Sequence, residues 1–121
     1  MSNSFENLRV YALGVELVAM VYESTQPFPK DELFGLTSQI RRAAASVPAN
    51  IAEGYGRDST KAYVNQLRIS QGSLKELETH LLLAKRVGIA NSENVSDLMS
   101  KSESLGKMLR TLIQKVAQAP S

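Results

Sequence analysis

The chain has 121 residues, with 14 Lys plus Arg against 12 Asp plus Glu, one His and no Cys. That length suits one domain able to bury a core without staples, and the missing Cys excludes disulfides, thiolate zinc sites and Cys nucleophiles together. Hydrophobic residues make up 43% and charged ones 21%, a balance too apolar for disorder.

Four helices are predicted in a single domain spanning residues 1–121. The first covers about 8–24. Glu16 is the only charge between Val10 and Tyr22, so this helix needs cover on several sides, from its own bundle or from another subunit. Gly14 costs about 1 kcal/mol relative to Ala; it is either a tolerated weak spot or, the reading favoured, the mark of a close approach by a neighbouring helix. Gln26-Pro27-Phe28-Pro29 ends the helix, since two prolines break its hydrogen-bond ladder.

After a short turn from Lys30 to Gly35, the second helix runs over about 36–53, with Leu36, Ile40, Ala44, Val47 and Ile51 on one face. Pro48 inside it removes the bond to the Ala44 carbonyl and should bend it. Gly54-Tyr55-Gly56 ends it, and Asp58 or Ser59 caps the next.

The third helix, about 60–87, carries the most regular pattern. Tyr63, Leu67, Ser70, Leu74, Leu77, Leu81, Ala84 and Gly88 alternate steps of four and three, a heptad seam with Gly88 as its stop. The fourth, about 92–118, repeats the rhythm at Val95, Leu98, Ser102, Leu105, Leu109, Leu112 and Val116, with Asn91 or Ser92 as cap. Ala119-Pro120-Ser121 forms a frayed end. Helices joined by short loops predict an all-α, antiparallel up-down-up-down four-helix bundle, the second helix bent at Pro48.

A bundle can host a di-iron site, which needs two Glu-x-x-His pairs. His80 is the only histidine and Leu77 stands three before it, so no metal is expected; His80 reads as a surface or boundary residue. No Gly-x-Ser-x-Gly elbow occurs, and Gly54-Tyr55-Gly56-Arg57 matches neither a Walker nor a dinucleotide loop. Glu76 and Glu78, two apart on a helix, point in different directions. Glu53, at a helix C-terminus where the dipole opposes a carboxylate, needs a donor such as Arg41, Arg42, Arg57 or backbone amides. The expectation is no enzyme and no cofactor.

Charge is unevenly spread. The first sixty residues carry five basic and seven acidic groups, the remainder nine and five. Lys61, Arg68 and Lys75 recur every seven residues, forming a stripe beside the third helix's seam, and Lys107, Arg110 and Lys115 follow the last acid, Glu103. Such stripes can bind phosphate backbones; a solvated helix face is the plain alternative.

Phe28-Pro29, Gly35-Leu36-Thr37-Ser38-Gln39-Ile40-Arg41-Arg42-Ala43-Ala44 and Ser46-Val47-Pro48-Ala49-Asn50-Ile51-Ala52-Glu53-Gly54-Tyr55-Gly56-Arg57 together resemble the signature of four-helix-bundle proteins encoded in intervening sequences of bacterial 23S rRNA genes. Gly72-Ser73-Leu74-Lys75-Glu76-Leu77-Glu78 resembles that family's third-helix motif, and Met108-Leu109 with Leu112-Ile113 its last helix; Tyr11 stands where the family often has Trp, and Ser70 where it often has Ala. The resemblance implies a left-handed-type bundle assembling into a ring-like homopentamer. One branch resembles accessory proteins of diversity-generating retroelements, basic pentamers that bind nucleic acid and a reverse transcriptase. Motif residues Gln39, Pro48, Asn50, Glu53 and Gly54 are expected to hold the structure together.

The function expected is a non-enzymatic oligomer binding RNA or DNA through Arg41, Arg42, Arg57, Lys61, Arg68 and Lys75. The alternative is a scaffold whose partner is another protein. No apolar run approaches the roughly 20 residues of a membrane span. The opening MSNSFENLRV lacks the plan of a signal peptide, so a cytoplasmic location is expected.

Overall fold

Two side chains set where the long helices begin. Ser59 Oγ accepts the Ala62 amide at 3.1 Å, and Asn91 Oδ1 accepts the Asn94 amide at 2.7 Å, satisfying donors that a helix start leaves unpaired. The structure, a computed structural model, describes residues 4–119. Its order is α1 (Ser4–Thr25), a 3-10 turn (Lys30–Glu32), α2 (Leu36–Tyr55), α3 (Thr60–Arg86) and α4 (Ser92–Gln118). Pro120 and Ser121 of the expected frayed end lie outside the described residues.

The all-α expectation holds, and helix boundaries agree closely except at the start. The first helix begins at Ser4, before the expected residue 8, because its first turn is tied into the bundle: Tyr63 Oη donates to Asn7 Oδ1 at 2.6 Å. The end of α3 follows the Gly88 expectation. Gly88 has φ +81°, the left-handed region that suits glycine. Its amide reaches the Lys85 carbonyl at 3.1 Å and the Ile89 amide reaches the Ala84 carbonyl at 2.9 Å, the two bonds of a Schellman stop.

Each helix packs on its sequence neighbours, and α1 closes the square against α4. Contacts run antiparallel throughout. Between α1 and α2, Gly14 meets Pro48 while Thr25 meets Arg41. Between α2 and α3, Ser46 bonds Ser73 and Asn50 bonds Gln66. Between α1 and α4, Glu16 pairs with Lys101 and Glu6 with Lys115; these exposed ion pairs are worth no more than about 1 kcal/mol each.

All the seam positions expected of α3 and α4 from Tyr63 to Ala84 and from Val95 to Val116 are buried. Serines inside the seams find partners: Ser70 Oγ donates to the Val47 carbonyl at 2.9 Å and Ser102 Oγ to Glu78 Oε2 at 2.6 Å. That is the condition for a hydroxyl to be tolerated in a core.

Two glycines admit close helix crossings. A Cβ on Gly14 would lie 3.3 Å from Pro48 Cβ, so the neighbour expected at Gly14 is the proline of α2. A Cβ on Gly54 would lie 2.9 Å from Gln66 Cβ and 3.2 Å from Tyr63 Cδ1. Overpacking of that kind costs roughly 1–3 kcal/mol, more than the about 1 kcal/mol a helical Gly→Ala change returns. A Gly54→Ala variant is therefore expected to melt at lower temperature than the parent, read by circular dichroism; an unchanged or raised midpoint would show that α3 yields freely.

Candidate nucleic-acid interface

The line where α3 meets α4 is open on its solvent side because both helices lack a side chain there. Gly72 has no atom within 4 Å of where a Cβ would stand, and a Cβ on Gly106 would come only as near as 3.8 Å to Leu74 Cδ1. The result is a groove of about 510 Å³. Heptad spacing brings Arg68 and Lys75 to the same edge of α3, two turns apart. From α4, Lys107 and Arg110, three residues apart on one face, supply the opposite edge.

Glu78 and Glu103 also line the groove. Glu78 is 9% exposed, with one carboxylate oxygen accepting from Ser102 and the other 3.4 Å from Lys75 Nζ. Four cations against two carboxylates leave the groove positive, and the low-dielectric wall behind them strengthens the field at its mouth.

Of the residues expected to touch nucleic acid, Arg68 and Lys75 are in the groove. Lys61 is exposed one step further along, in a shallow hollow that it shares with Arg68 and Asn65, so the seven-residue stripe is continuous. The arginines of α2 and of the turn after it are elsewhere. Arg41 is committed to α1: its guanidinium carbon sits 4.6 Å from the centre of the Tyr22 ring, and its Nε donates to Thr25 Oγ1 at 2.9 Å. That cation–π stack and hydrogen bond clasp α1 to α2. Arg57 forms an ion pair with Glu53, the donor that the end of the second helix required. Arg42 is exposed on α2, away from the groove.

The motif residues sort by what they touch. Asn50 Nδ2 donates to the Ser46 carbonyl and Oγ, each at 2.8 Å, and Asn50 Oδ1 accepts from Gln66 Nε2 at 3.2 Å. With the Ser46–Ser73 bond this polar ladder sets the register of α2 on α3. Pro48 and Gly54 are buried, whereas Gln39 is exposed. Lys107 and Arg110 were visible in the sequence as cations beyond the last acid, yet nothing local paired them with Arg68 and Lys75. Lys115 belongs to another face, beside Glu6. His80 is half-buried, as a boundary residue, and no cluster of His, Asp and Glu suited to a metal ion occurs among the described residues.

The family model described as 23S rRNA-intervening sequence protein matches residues 6–111. Among solved structures, the chain is similar to a protein of unknown function from the S23 ribosomal protein family of Bacteroides thetaiotaomicron VPI-5482. The TM-score is 0.82 at 24% identity, covering 90% of this chain and 98% of that one, a likeness that shows the fold. No curated protein matches.

Proposed function

We propose, starting from the membership of this chain in the 23S rRNA-intervening sequence protein family, that it is a non-enzymatic, self-assembling bundle that binds RNA or DNA in the cytoplasm. The single observation behind this reading is the α3/α4 groove, which gathers Arg68, Lys75, Lys107 and Arg110 in a chain whose whole net charge is +2. Recognition is mainly electrostatic, since the chain has no Trp and no aromatic side chain lines the groove to stack bases. No helix among the described residues is long and apolar enough to cross a membrane.

Four phosphate contacts predict a steep salt response. Between 50 and 200 mM salt, affinity should fall about 50-fold for a single strand and about 150-fold for a duplex. Fluorescence anisotropy with labelled RNA and DNA at the two concentrations tests this; no binding at the lower salt would refute the groove reading.

Self-assembly is supported by a second feature of α1. Phe5, Leu8, Ala12, Val15, Ala19 and Tyr22 alternate steps of three and four and are all exposed. At 3.6 residues per turn this row lies roughly 150° around the helix from the buried row of Val10, Gly14, Leu17 and Val21. A second apolar seam of heptad spacing, with Leu8 65% and Val15 46% exposed, matches the same seam of another copy. The number of copies, five, is what the family resemblance implies. Leu8→Glu combined with Val15→Glu is expected to convert the assembly to monomers in sedimentation velocity while keeping its helicity. A monomeric parent protein would refute assembly.

A protein partner is the second reading, favoured by the corner before α2, where Phe34 is 94% exposed beside Leu33. Recovery of a defined protein after nuclease treatment, lost in Phe34→Ser, would support it.

A further inference from the structure

Glu78 is an acid placed where a plain phosphate-binding groove has no use for one. It is nearly buried and lies among the residues that line a groove edged by four cations. Ser102 holds one of its oxygens at 2.6 Å, and the other has only Lys75 Nζ at 3.4 Å. A carboxylate offers about four acceptor positions, so this one retains capacity. A purely anionic ligand would be repelled from it, and a purely cationic ligand would be repelled from the rim. The occupant that suits both carries negative charge outside and a hydrogen-bond donor inside.

We propose that the groove takes an unpaired nucleotide of a single strand, with phosphates on the cationic edges and the base's exocyclic amino group donating to Glu78. The proposal rests on the reading of the groove as the nucleic-acid site and adds what enters it. The groove, of about 510 Å³, has room for a flat base to enter, whereas a duplex, its bases paired and stacked, rests only its phosphates on the cationic edges. Gly72 and Gly106 leave the entrance free of side chains. Carboxylates accept from the N4 amino group of cytosine, whereas uracil presents only a carbonyl at that place and would meet Glu78 oxygen to oxygen. Bases bearing an exocyclic amine are thus selected over uracil, and Ser102 acts as a positioning residue that fixes the carboxylate.

The test compares fifteen-nucleotide oligocytidine and oligouridine binding to the full chain at 50 mM salt. The expected result is roughly tenfold tighter binding of oligocytidine, the scale of one hydrogen bond to a charged group. Glu78→Leu should strengthen binding of oligouridine by removing a negative charge, deprive oligocytidine of its acceptor, and so bring the two affinities within about twofold. Ser102→Ala, a milder change, should reduce the preference without abolishing binding, and circular dichroism checks that both variants remain helical. Equal, salt-sensitive binding of the two oligomers by the parent protein would overturn base selection and leave the electrostatic groove standing. Absence of binding to either would overturn both.

Discussion

Above pH 10 the protein is expected to lose roughly 3 kcal/mol of stability that a Tyr63→Phe variant does not lose. The Tyr63 phenol is pushed up from its ordinary value of 10 to about 12. Burial is the main cause, and repulsion from the neighbouring Tyr55 and Glu6 adds to it. Ionisation would also delete the donor that serves Asn7. In the unfolded chain the phenol releases its proton near 10, in the folded chain near 12. Between those values the unfolded state binds fewer protons, so stability falls as pH rises: the contribution is full below pH 10 and is lost through pH 12. At neutral pH the variant should already be weaker by about 1–3 kcal/mol, since Asn7 Oδ1 is left buried without its donor. Denaturant melts of both proteins from pH 7 to 12 check the prediction, and parallel pH profiles would count against it.

The largest functional effect is expected from changing both edges of the groove together. With Arg68, Lys75, Lys107 and Arg110 all replaced by Gln, binding at 50 mM salt should fall at least about 50-fold, and its salt dependence should nearly vanish. None of the four is buried, so the fold should tolerate the exchange. The control is Arg42→Gln with Arg57→Gln, which removes two cations from outside the groove and should change affinity less than about twofold. A loss in the control matching that of the fourfold variant would move the binding surface to α2. Comparison of salt slopes separates these cases, because each phosphate contact removed takes about 0.7 to 0.9 from the slope.

The α2 arginines illustrate why a site is harder to read than a fold. In the sequence Arg41 and Arg42 are adjacent and equally available. Their positions on the helix, about 100° apart, turn Arg41 onto Tyr22 and Thr25 and leave Arg42 exposed. Arg57 is spent locally on Glu53, four residues earlier; that pairing was within reach of sequence spacing. The stripe Lys61, Arg68 and Lys75 was equally legible, because residues seven apart share a helix face whatever the helix packs against. Its partners on α4 were not, since Lys107 and Arg110 come from a helix whose rotation depends on the whole bundle.

What this sequence determined by itself is its set of helices and their buried faces. The seams from Tyr63 to Ala84 and from Val95 to Val116 and the stop at Gly88 act over a few residues, where helical spacing and side-chain-to-backbone bonds leave little choice; each cap was narrowed to two neighbours, of which the structure takes Ser59 and Asn91. Tertiary structure alone decided that Gly14 takes the ring of Pro48, that Tyr63 reaches Asn7, and that Glu78 is held by Ser102 at the bottom of a cationic groove. Those contacts join residues 24 to 56 positions apart. Local periodicity shows which face is apolar, but which polar atoms meet across two packed helices depends on register, and register is set by the packing of all four.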